Sequence, residues 1–273
     1  MTLLQSIILG IVQGISEFLP ISSSAHLVIV PYLLGWDIPP EQAFVFDVLV
    51  QNATLVGVIV YFRKDLLQIL QATWQGLFRR DLKSNPASRL GLMIILATIP
   101  ALLIGFFLKG AVEKVFADPR ATAFFLLANA LILVIAEKIG KRTRTLKELV
   151  ERDALWIGFA QVLAIFPGIS RSGSTIFGGM ARNLQRVPAA KFSLLMSIPV
   201  MLVAGGYATL KLIAIPDFWS LLPVFIPGFV TAGVVGYFSI RWLMKYLTHA
   251  TLFGFALYCL LVGLAVISIS YFT

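Results

Sequence analysis

The strongest constraint on the fold of this 273-residue chain is that its apolar residues fall in long, nearly uncharged blocks. A helix needs roughly 20 apolar residues to cross the hydrocarbon core of a bilayer. Six blocks reach or approach that length, at residues 44–62, 90–108, 121–136, 192–210, 218–240 and 250–272. Only 13% of the residues are charged, against about 25% in a typical soluble domain. Blocks, rather than alternating apolar residues, predict spanning helices and not a membrane β-barrel.

Two shorter apolar stretches, 3–19 and 154–166, end in turns that are rich in Pro, Gly and Ser. Each turn is followed by another short apolar segment that can return to the same side of the membrane. This pattern is typical of a re-entrant helix pair, whose break is tolerated at membrane depth where protein or water satisfies the backbone. We therefore predict an all-α polytopic membrane protein with about six transmembrane helices and two re-entrant helix pairs. All of residues 1–273 form one integral membrane domain in this interpretation.

The formal net charge of +9 is explained by where the 22 Lys and Arg residues lie. They sit between the apolar blocks, so the positive-inside rule accounts for them and we predict no nucleic-acid partner. Seventeen of them fall in four regions that we assign to the cytoplasm, and Arg171 lies in the second re-entrant turn. Four fall in the opposite loops: Lys109, Lys114, Arg120 and Lys211. The cytoplasmic regions are 63–89, 138–152, 178–191 and 241–248. With this orientation the first re-entrant pair enters from outside and the second from inside.

A shift of 148 residues aligns the two re-entrant segments with each other. Six positions in fifteen then carry the same residue: Gly10 and Gly158, Gln13 and Gln161, Phe18 and Phe166, Ile21 and Ile169, Ser22 and Ser170, Ser24 and Ser172. Each segment precedes three predicted spans, which predicts an inverted-topology repeat with halves of approximately 1–137 and 138–273. Such repeats place a polar site near the membrane midplane. Helix packing alone can also place Gly and Ser at matching positions, so that alternative stays open.

Glu17 is the most informative single residue. A carboxylate inside an apolar block costs roughly 2.5–3.5 kcal/mol on membrane-insertion scales, so it needs a partner or a function. Gln13 lies four residues earlier and therefore on the same helix face. Together they can present oxygen atoms to a divalent cation, which prefers such hard ligands. The alternative is a neutral glutamic acid that is hydrogen-bonded between packed helices.

Three serines, Ser22, Ser23 and Ser24, follow a proline and precede His26. Hydroxyls and free N–H groups at a helix N-terminus form a natural anion site, although a serine after a proline also commonly caps a helix. His26 is one of two histidines in the chain. Its distance of three residues from Ser23 allows it to act as a general base, or as a nucleophile toward phosphorus. A lone buried histidine more often has a structural role.

The second re-entrant turn, residues 167–175, reads Pro-Gly-Ile-Ser-Arg-Ser-Gly-Ser-Thr. Small residues let the backbone close around a ligand, and hydroxyl and N–H groups suit phosphate oxygens. Arg171 adds a permanent charge and a planar fork that fits phosphate through two hydrogen bonds. Alternatively, Arg171 only neutralises Glu17 in a buried ion pair.

Further polar residues lie within or beside the apolar blocks. Isolated residues such as Gln51, Asn52 and Asn129 are most simply explained by hydrogen bonds between helices. Asp47 has the same explanation, or else it joins a metal site. Residues 63–83 combine basic and aromatic side chains, which indicates an amphipathic segment that contacts anionic membrane lipids.

Residues 13–26 and 167–175 together resemble the two signatures of the undecaprenyl pyrophosphate phosphatase family, also called bacitracin-resistance proteins. The first matches the family's Glu/Gln-x-x-x-Glu segment with its following serines and histidine, and the second is similar to Pro-Gly-x-Ser-Arg-Ser-x-x-Thr. Length, motif spacing and the layout of spans match over essentially the whole chain. The main departure is Gln13, where many relatives carry Glu; an amide keeps an oxygen ligand but removes one negative charge.

The resemblance implies an enzyme of the bacterial inner membrane that removes the terminal phosphate of the polyprenyl lipid undecaprenyl pyrophosphate. The product serves peptidoglycan synthesis, and the activity confers bacitracin resistance. The resemblance also implies a divalent cation, Mg²⁺ or Ca²⁺, and a site on the outer side. The residues assigned to catalysis are Glu17, Ser23, His26 and Arg171; those assigned to the metal are Glu17 and Gln13; and those assigned to phosphate are Ser22, Ser24, Ser170, Arg171, Ser172 and Thr175.

Several alternatives stay open. The nucleophile is Ser23 with His26 as its base, His26 itself, or an activated water. A polyprenyl-phosphate flippase or secondary transporter would share the inverted repeat, but it would not explain why Ser, His, Glu and Arg converge. A structural membrane subunit would need Glu17 and Arg171 only for each other. Association into a homo-oligomer is not decided by the sequence.

The distribution of basic residues predicts that position 147 is cytoplasmic and that position 37, between the first re-entrant pair and the first span, is outside. An impermeant thiol reagent applied to intact cells should label Asp37→Cys and spare Lys147→Cys, with Cys259 replaced in both variants. Labelling of position 147 alone would reverse the assigned orientation.

Overall fold

The apolar blocks of the sequence form long helices in a computed structural model, which describes residues 1–113, 118–212 and 218–272. All regular elements of these ranges are helical, and an isolated bridge joins Arg144 to Leu184. The α-helices are α1 Leu3–Ser16, α2 Ser23–Leu33, α3 Pro40–Tyr61, α4 Arg63–Phe78, α5 Pro86–Glu113, α6 Pro119–Ile139, α7 Glu151–Val162, α8 Arg171–Ala181, α9 Arg186–Leu212, α10 Phe218–Tyr246 and α11 Phe253–Phe272. Lys114, one of the basic residues assigned to the outer loops, lies outside the described residues.

Six helices are long and apolar enough to cross a membrane, which confirms the predicted number of spans. They are α3, α5, α6, α9, α10 and α11. Most of them extend beyond the predicted blocks because helices continue into polar residues where capping permits. The marginal block 121–136, for example, lies in a helix of 21 residues. Pro119 occupies its first turn, where no N–H is needed, and the Asp118 side chain accepts a hydrogen bond from the Arg120 N–H at 2.8 Å.

The helix α4 follows α3 directly and is amphipathic rather than spanning. It buries Ile69 and Ala72, while Leu70, Trp74 and Phe78 are exposed. This is the face expected of a segment lying in the interface, and contact with anionic lipid stays a prediction.

The two predicted re-entrant pairs are present as α1–α2 and α7–α8, each interrupted by a short non-helical break. The first break covers residues 17–22; the second includes residues 166–170, after a 3₁₀ turn at Leu163–Ile165. Ser22 caps α2 by accepting a hydrogen bond from the Ala25 N–H at 3.4 Å, and Ser170 caps α8 by accepting one from the Gly173 N–H at 3.1 Å. The two caps are the residues that the shift of 148 positions aligns.

The first helix of each re-entrant pair packs against a span from the other half of the chain. The helix α1 lies against α10, and α7 lies against α5. If α4 is set aside, α1, α2, α3, α5 and α6 correspond in order to α7 through α11. The two contacts are then equivalent, which supports the repeat. The division into halves 1–137 and 138–273 stays a prediction.

Glycines allow the closest of these approaches. A Cβ atom on Gly10 would overlap the carbonyl oxygen of Gly228 on α10, and one on Gly158 would overlap the carbonyl oxygen of Ala97 on α5. Small residues of this kind let helix backbones approach in membranes, where no hydrophobic effect drives helices together. The aligned pair Gly10 and Gly158 therefore has the same packing role in both halves.

Two buried carboxylates form ion pairs that link separate segments at the end of the molecule that we assign to the cytoplasm. Glu137 accepts two hydrogen bonds from Arg186, at 2.8 and 2.7 Å. Asp153 forms ion pairs with Arg144 and Arg182, at 2.7 and 2.6 Å. Burial by itself would raise the pKa of Asp153, but the hydrogen bonds from these two arginines outweigh burial and hold the pKa below its ordinary value. These pairs use basic residues that the charge distribution had assigned to cytoplasmic loops.

Gly10→Ala should destabilise the protein because the new methyl group meets backbone that cannot move aside. Overpacking of this kind costs about 1–3 kcal/mol, which thermal unfolding in detergent would show as a lower midpoint. Gly206→Ala is the matched control, since a Cβ there meets nothing within 4 Å and alanine favours a helix by about 1 kcal/mol over glycine. Equal midpoints for the two variants would contradict the close approach of α1 and α10.

Candidate active site

A cavity of about 290 Å³ lies where the two re-entrant breaks meet. Both breaks contribute to its lining, together with α3 and α9. The lining residues are Gln13, Glu17, Ser22, Ser23, Ser24, Leu27, Asp47, Gln51, Ala164, Ile169, Ser170, Arg171, Val200, Met201 and Ala204. The structure therefore brings together residues that are about 150 positions apart in sequence, as the predicted repeat requires.

Glu17 lies at the centre of the polar contacts in this cavity. Its Oε2 accepts hydrogen bonds from Ser23 Oγ at 2.6 Å and from Gln13 Nε2 at 2.9 Å. Its Oε1 accepts one from Arg171 Nη2 at 2.7 Å. The carboxylate is 8% exposed, so these donors offset much of the cost of removing its charge from water.

Ser23 and Arg171 occupy equivalent positions in the two halves. Each follows its serine cap directly, as the first residue of α2 or α8, and the shift of 148 residues aligns them. Both reach the carboxylate of Glu17, so the N-termini of two helices converge on one point. Free N–H groups and the positive ends of two helix dipoles, with the guanidinium of Arg171, make the cavity attractive to an anion.

Arg171 forms an ion pair with Glu17, as expected if it neutralises that carboxylate. It also lines the cavity. A guanidinium has five N–H donors, and the contact with Glu17 uses one nitrogen. The side chain is 18% exposed. Arg171 can therefore hold Glu17 and donate to a ligand.

The remaining predicted phosphate-binding residues separate into two groups. Ser22, Ser24 and Ser170 line the cavity, whereas Ser172 and Thr175 do not. Ser172 Oγ donates to the carbonyl of Leu19 at 3.1 Å, and Thr175 Oγ1 donates to the carbonyl of Arg171 at 2.8 Å. In this geometry Ser172 and Thr175 support the breaks rather than face a ligand.

His26 does not line the cavity and is not paired with Ser23. Its Nδ1 lies 2.7 Å from the carbonyl oxygen of Ser22, and its Nε2 lies 2.8 Å from the hydroxyl of Tyr258. Because a carbonyl only accepts, Nδ1 carries the proton, and Nε2 shares a hydrogen bond with the hydroxyl of Tyr258. No lone pair is left to take the proton of Ser23. The structure pairs Ser23 with Glu17 instead.

The contact of His26 with the Ser22 carbonyl also stabilises an unusual backbone conformation. Ser22 has a φ of +71°, in the region that side chains other than glycine rarely adopt. Such conformations cost roughly 1–3 kcal/mol and persist only where the surroundings fix them. The hydrogen bond from His26 to the Ser22 carbonyl is one of the contacts that do so.

Asn129 on α6 belongs to the site, although the sequence analysis assigned it only to hydrogen bonds between helices. Its Nδ2 donates to the carbonyl of Pro20 at 2.9 Å, and its Oδ1 accepts from the N–H of Ser170 at 3.0 Å. One fully buried amide thus joins both breaks. Each break leaves backbone groups that need partners, so an amide in the middle of a span was the available signal.

The residues around Glu17 also fit a divalent cation. Gln13 Oε1 is buried and has no hydrogen-bond partner among the described residues. Glu17 Oε1 accepts a single hydrogen bond and keeps a lone pair. Within the described ranges no three His, Cys, Asp or Glu side chains form a cluster. An ion here would therefore take further oxygens from phosphate or water, as Mg²⁺ usually does.

Comparison with known proteins gives matches along nearly the whole chain. A family model described as "Bacitracin resistance protein BacA" matches residues 6–265. An undecaprenyl-diphosphatase of Methanosphaera stadtmanae is 40% identical over 280 residues, covering 98% of each chain. Proteins with the same name from Thermomicrobium roseum and Chloroherpeton thalassium are 39% and 40% identical; they cover 98% and 96% of this chain and 98% and 95% of their own lengths.

Asn129→Leu should destabilise the protein by at least about 2 kcal/mol, because it leaves the Pro20 carbonyl and the Ser170 N–H unpaired at about 1–3 kcal/mol each. Asn52→Leu is the matched control, since the half-buried Asn52 makes one side-chain hydrogen bond, to Thr209 Oγ1. Thermal unfolding of both variants in detergent would measure the difference. A loss for Asn129→Leu no larger than for Asn52→Leu would show that Asn129 does not hold the breaks.

Proposed function

The chain belongs to the bacitracin resistance protein BacA family, and we propose from this premise that it hydrolyses undecaprenyl pyrophosphate to undecaprenyl phosphate and inorganic phosphate. The observation that carries the chemistry is the contact of Ser23 and Arg171 with one carboxylate, Glu17, beside a cavity that receives two helix N-termini. A nucleophile, a base and a phosphate-binding cation are thereby within reach of one another.

The chain is a multi-pass membrane enzyme, and its substrate is a polyprenyl pyrophosphate lipid. Family membership implies that the product returns to the carrier-lipid pool used for cell-wall synthesis, and that the activity confers bacitracin resistance. We place the protein in the bacterial cytoplasmic membrane with the active site facing outward. The bias of basic residues supports that orientation.

Binding of the diphosphate follows from the charges of the cavity. The terminal phosphate lies between the N-termini of α2 and α8, where the hydroxyls of Ser22, Ser24 and Ser170 and the free N–H groups can donate to its oxygens. Arg171 donates from the guanidinium nitrogens that Glu17 does not use. The polyprenyl tail stays between helices in the lipid.

For the chemical step, Ser23 is the nucleophile and Glu17 its base. The hydrogen bond of 2.6 Å already directs the Ser23 proton toward Glu17 Oε2, which is the geometry that base-assisted attack requires. Ser23 Oγ forms a bond to the terminal phosphorus as the bond to the bridging oxygen breaks, and undecaprenyl phosphate leaves. Water then attacks the phosphoserine, returns the Ser23 hydroxyl and releases inorganic phosphate. The engaged nitrogens of His26 argue against His26 as base or nucleophile.

Arg171 acts on the charge that moves during this transfer. Phosphoryl transfer depends on positioning and on donors aimed at the equatorial oxygens. When Arg171 also donates to the phosphate, its charge is shared between Glu17 and the substrate at the stage when Glu17 takes the proton of Ser23.

A divalent cation completes the charge balance. We propose that Glu17 and Gln13 Oε1 hold Mg²⁺ or Ca²⁺, which would neutralise part of the diphosphate charge. Gln13 in place of a glutamate leaves one negative charge fewer, so the ion should bind more weakly than it would to two carboxylates.

A second candidate function is transport of the polyprenyl phosphate across the membrane. Broken helices in a repeat are typical of secondary transporters, and one protein can both hydrolyse the lipid and return the product. Transport alone leaves the contact between Ser23 and Glu17 without a role.

Phosphate release from undecaprenyl pyrophosphate by the purified protein in detergent tests the proposed function. Activity should require added Mg²⁺ or Ca²⁺ and stop in excess chelator. Glu17→Gln should lower the rate at least roughly 10²-fold. Purified, folded protein that releases no phosphate at any concentration of either ion would contradict the enzymatic function, while full activity in chelator would contradict only the cation.

Arg171→Lys should fold normally and lose at least roughly tenfold in turnover, with Arg171→Ala losing more, because an ammonium cannot replace a planar fork on phosphate. If Arg171 only neutralised Glu17, Arg171→Ala would chiefly lower the unfolding midpoint, since an unpaired buried charge costs roughly 3–5 kcal/mol.

The double variant Glu17→Gln with Arg171→Ala separates these two roles. It removes both charges and should therefore recover stability, but it should stay inactive. Phosphate release near the wild-type rate from this variant would show that neither charge touches the substrate.

A further inference from the structure

A second carboxylate–amide pair faces the cavity from α3. Asp47 and Gln51 are four residues apart on one helix face and line the same cavity as Glu17 and Gln13. Asp47 is exposed within it, and Gln51 is half-buried. Across the described part of the chain, neither of their side chains makes a hydrogen bond or ion pair. Hydrogen bonding between packed helices therefore does not explain either side chain.

The charges of the cavity lining do not balance. Two carboxylates, Glu17 and Asp47, line the cavity with one permanent cation, Arg171, which is already paired with Glu17. A carboxylate within a membrane-spanning segment is costly unless it has a partner or a function. A diphosphate would add further negative charge to the same space. Among the described lining residues there is no cation left for Asp47.

Gln13 supplies an independent sign that a ligand binds here. It is 2% exposed and lines the cavity, and its Oε1 atom has no hydrogen-bond partner within the described ranges. Unpaired oxygens thus face one cavity from two walls, the amide oxygen of Gln13 and the carboxylate of Asp47. Oxygen-only surroundings of this kind suit a hard divalent cation.

We propose that Asp47 and Gln51 form the second half of the divalent-cation site, so that the ion is held between α3 and the α1–α2 break. The site then offers two carboxylates and two amide oxygens, and leaves the other coordination positions to water or to phosphate oxygens. This deepens the proposed function, on which it rests for the role of the ion in hydrolysis. Binding of the ion itself does not depend on that role.

Cation binding can be measured without substrate, on the full chain in detergent. A ligand that binds only the folded state raises the unfolding midpoint as its concentration passes the Kd. Ca²⁺ and Mg²⁺ should each raise the midpoint of the wild-type protein, and Asp47→Asn should raise the Kd at least roughly tenfold, which is the scale of losing a metal-site contact. Glu41→Gln removes a carboxylate from the first turn of α3, outside the cavity lining, and should leave the Kd unchanged.

Gln51→Glu should change the Kd of the ion in the opposite direction. It keeps the test decisive if Asp47→Asn does not fold. A further carboxylate beside the ion should lower the Kd several-fold, since affinity follows the charge of the ligand set. Unchanged Kd values in Asp47→Asn, or in Gln51→Glu if the first variant is unfolded, would overturn the proposal. A wild-type midpoint that neither ion moves would overturn it too.

The same measurements distinguish this proposal from the proposed function. Wild-type protein that binds the ion through Asp47 but releases no phosphate would contradict the enzyme and leave the site standing. Wild-type protein that releases phosphate, with Asp47→Asn binding the ion normally, would contradict the second half of the site alone. Loss of phosphate release in Asp47→Asn with an unchanged Kd would also overturn the proposal.

Discussion

Two helices stop and restart inside the molecule, and every feature of the site depends on how those interruptions are satisfied. Lipid offers no hydrogen bonds, so each backbone group exposed by a break must find a partner in the protein. Ser22 and Ser170 cap the restarted helices, and Asn129 bonds to both breaks. The N–H groups that remain free at the two helix starts are the ones that can bind an anion. Each break thus leaves backbone groups without their helical partners, and the same groups form the binding site.

Glu17 illustrates why the two interpretations of a buried ion pair are not exclusive. Arg171 neutralises the carboxylate, but through one nitrogen, and Ser23 uses the other carboxylate oxygen. A carboxylate that is held by a guanidinium and a hydroxyl at once is stable before substrate arrives. It is also placed to accept a proton when the guanidinium donates its remaining N–H groups to another anion. The contacts that stabilise the folded protein are therefore the contacts that the reaction rearranges.

Much of this arrangement could be predicted from local sequence because spans and breaks are local properties. Apolar block length predicted the six spans, and the costs of Glu17 and Arg171 in apolar surroundings singled out the two residues that meet. The partner of His26 could not be predicted, since Tyr258 lies 232 positions away and no periodicity connects the two. Asn129 was noticed, but its contacts with Pro20 and Ser170 depend on how three segments pack. Asp47 was a weak candidate until the structure showed that it lines the same cavity as Glu17.

The matching positions of Ser23 and Arg171 also bear on how such a protein can arise. If the two halves descend from one ancestral unit, a homodimer of that unit would have presented two serines or two arginines to the shared axis. Only after duplication could one copy keep a hydroxyl while the other acquired a guanidinium. A symmetric scaffold supplies the two converging helix starts, but a reaction with distinct attacking and charge-stabilising groups requires the copies to differ. Fusion into a single chain places one half of each kind in every molecule.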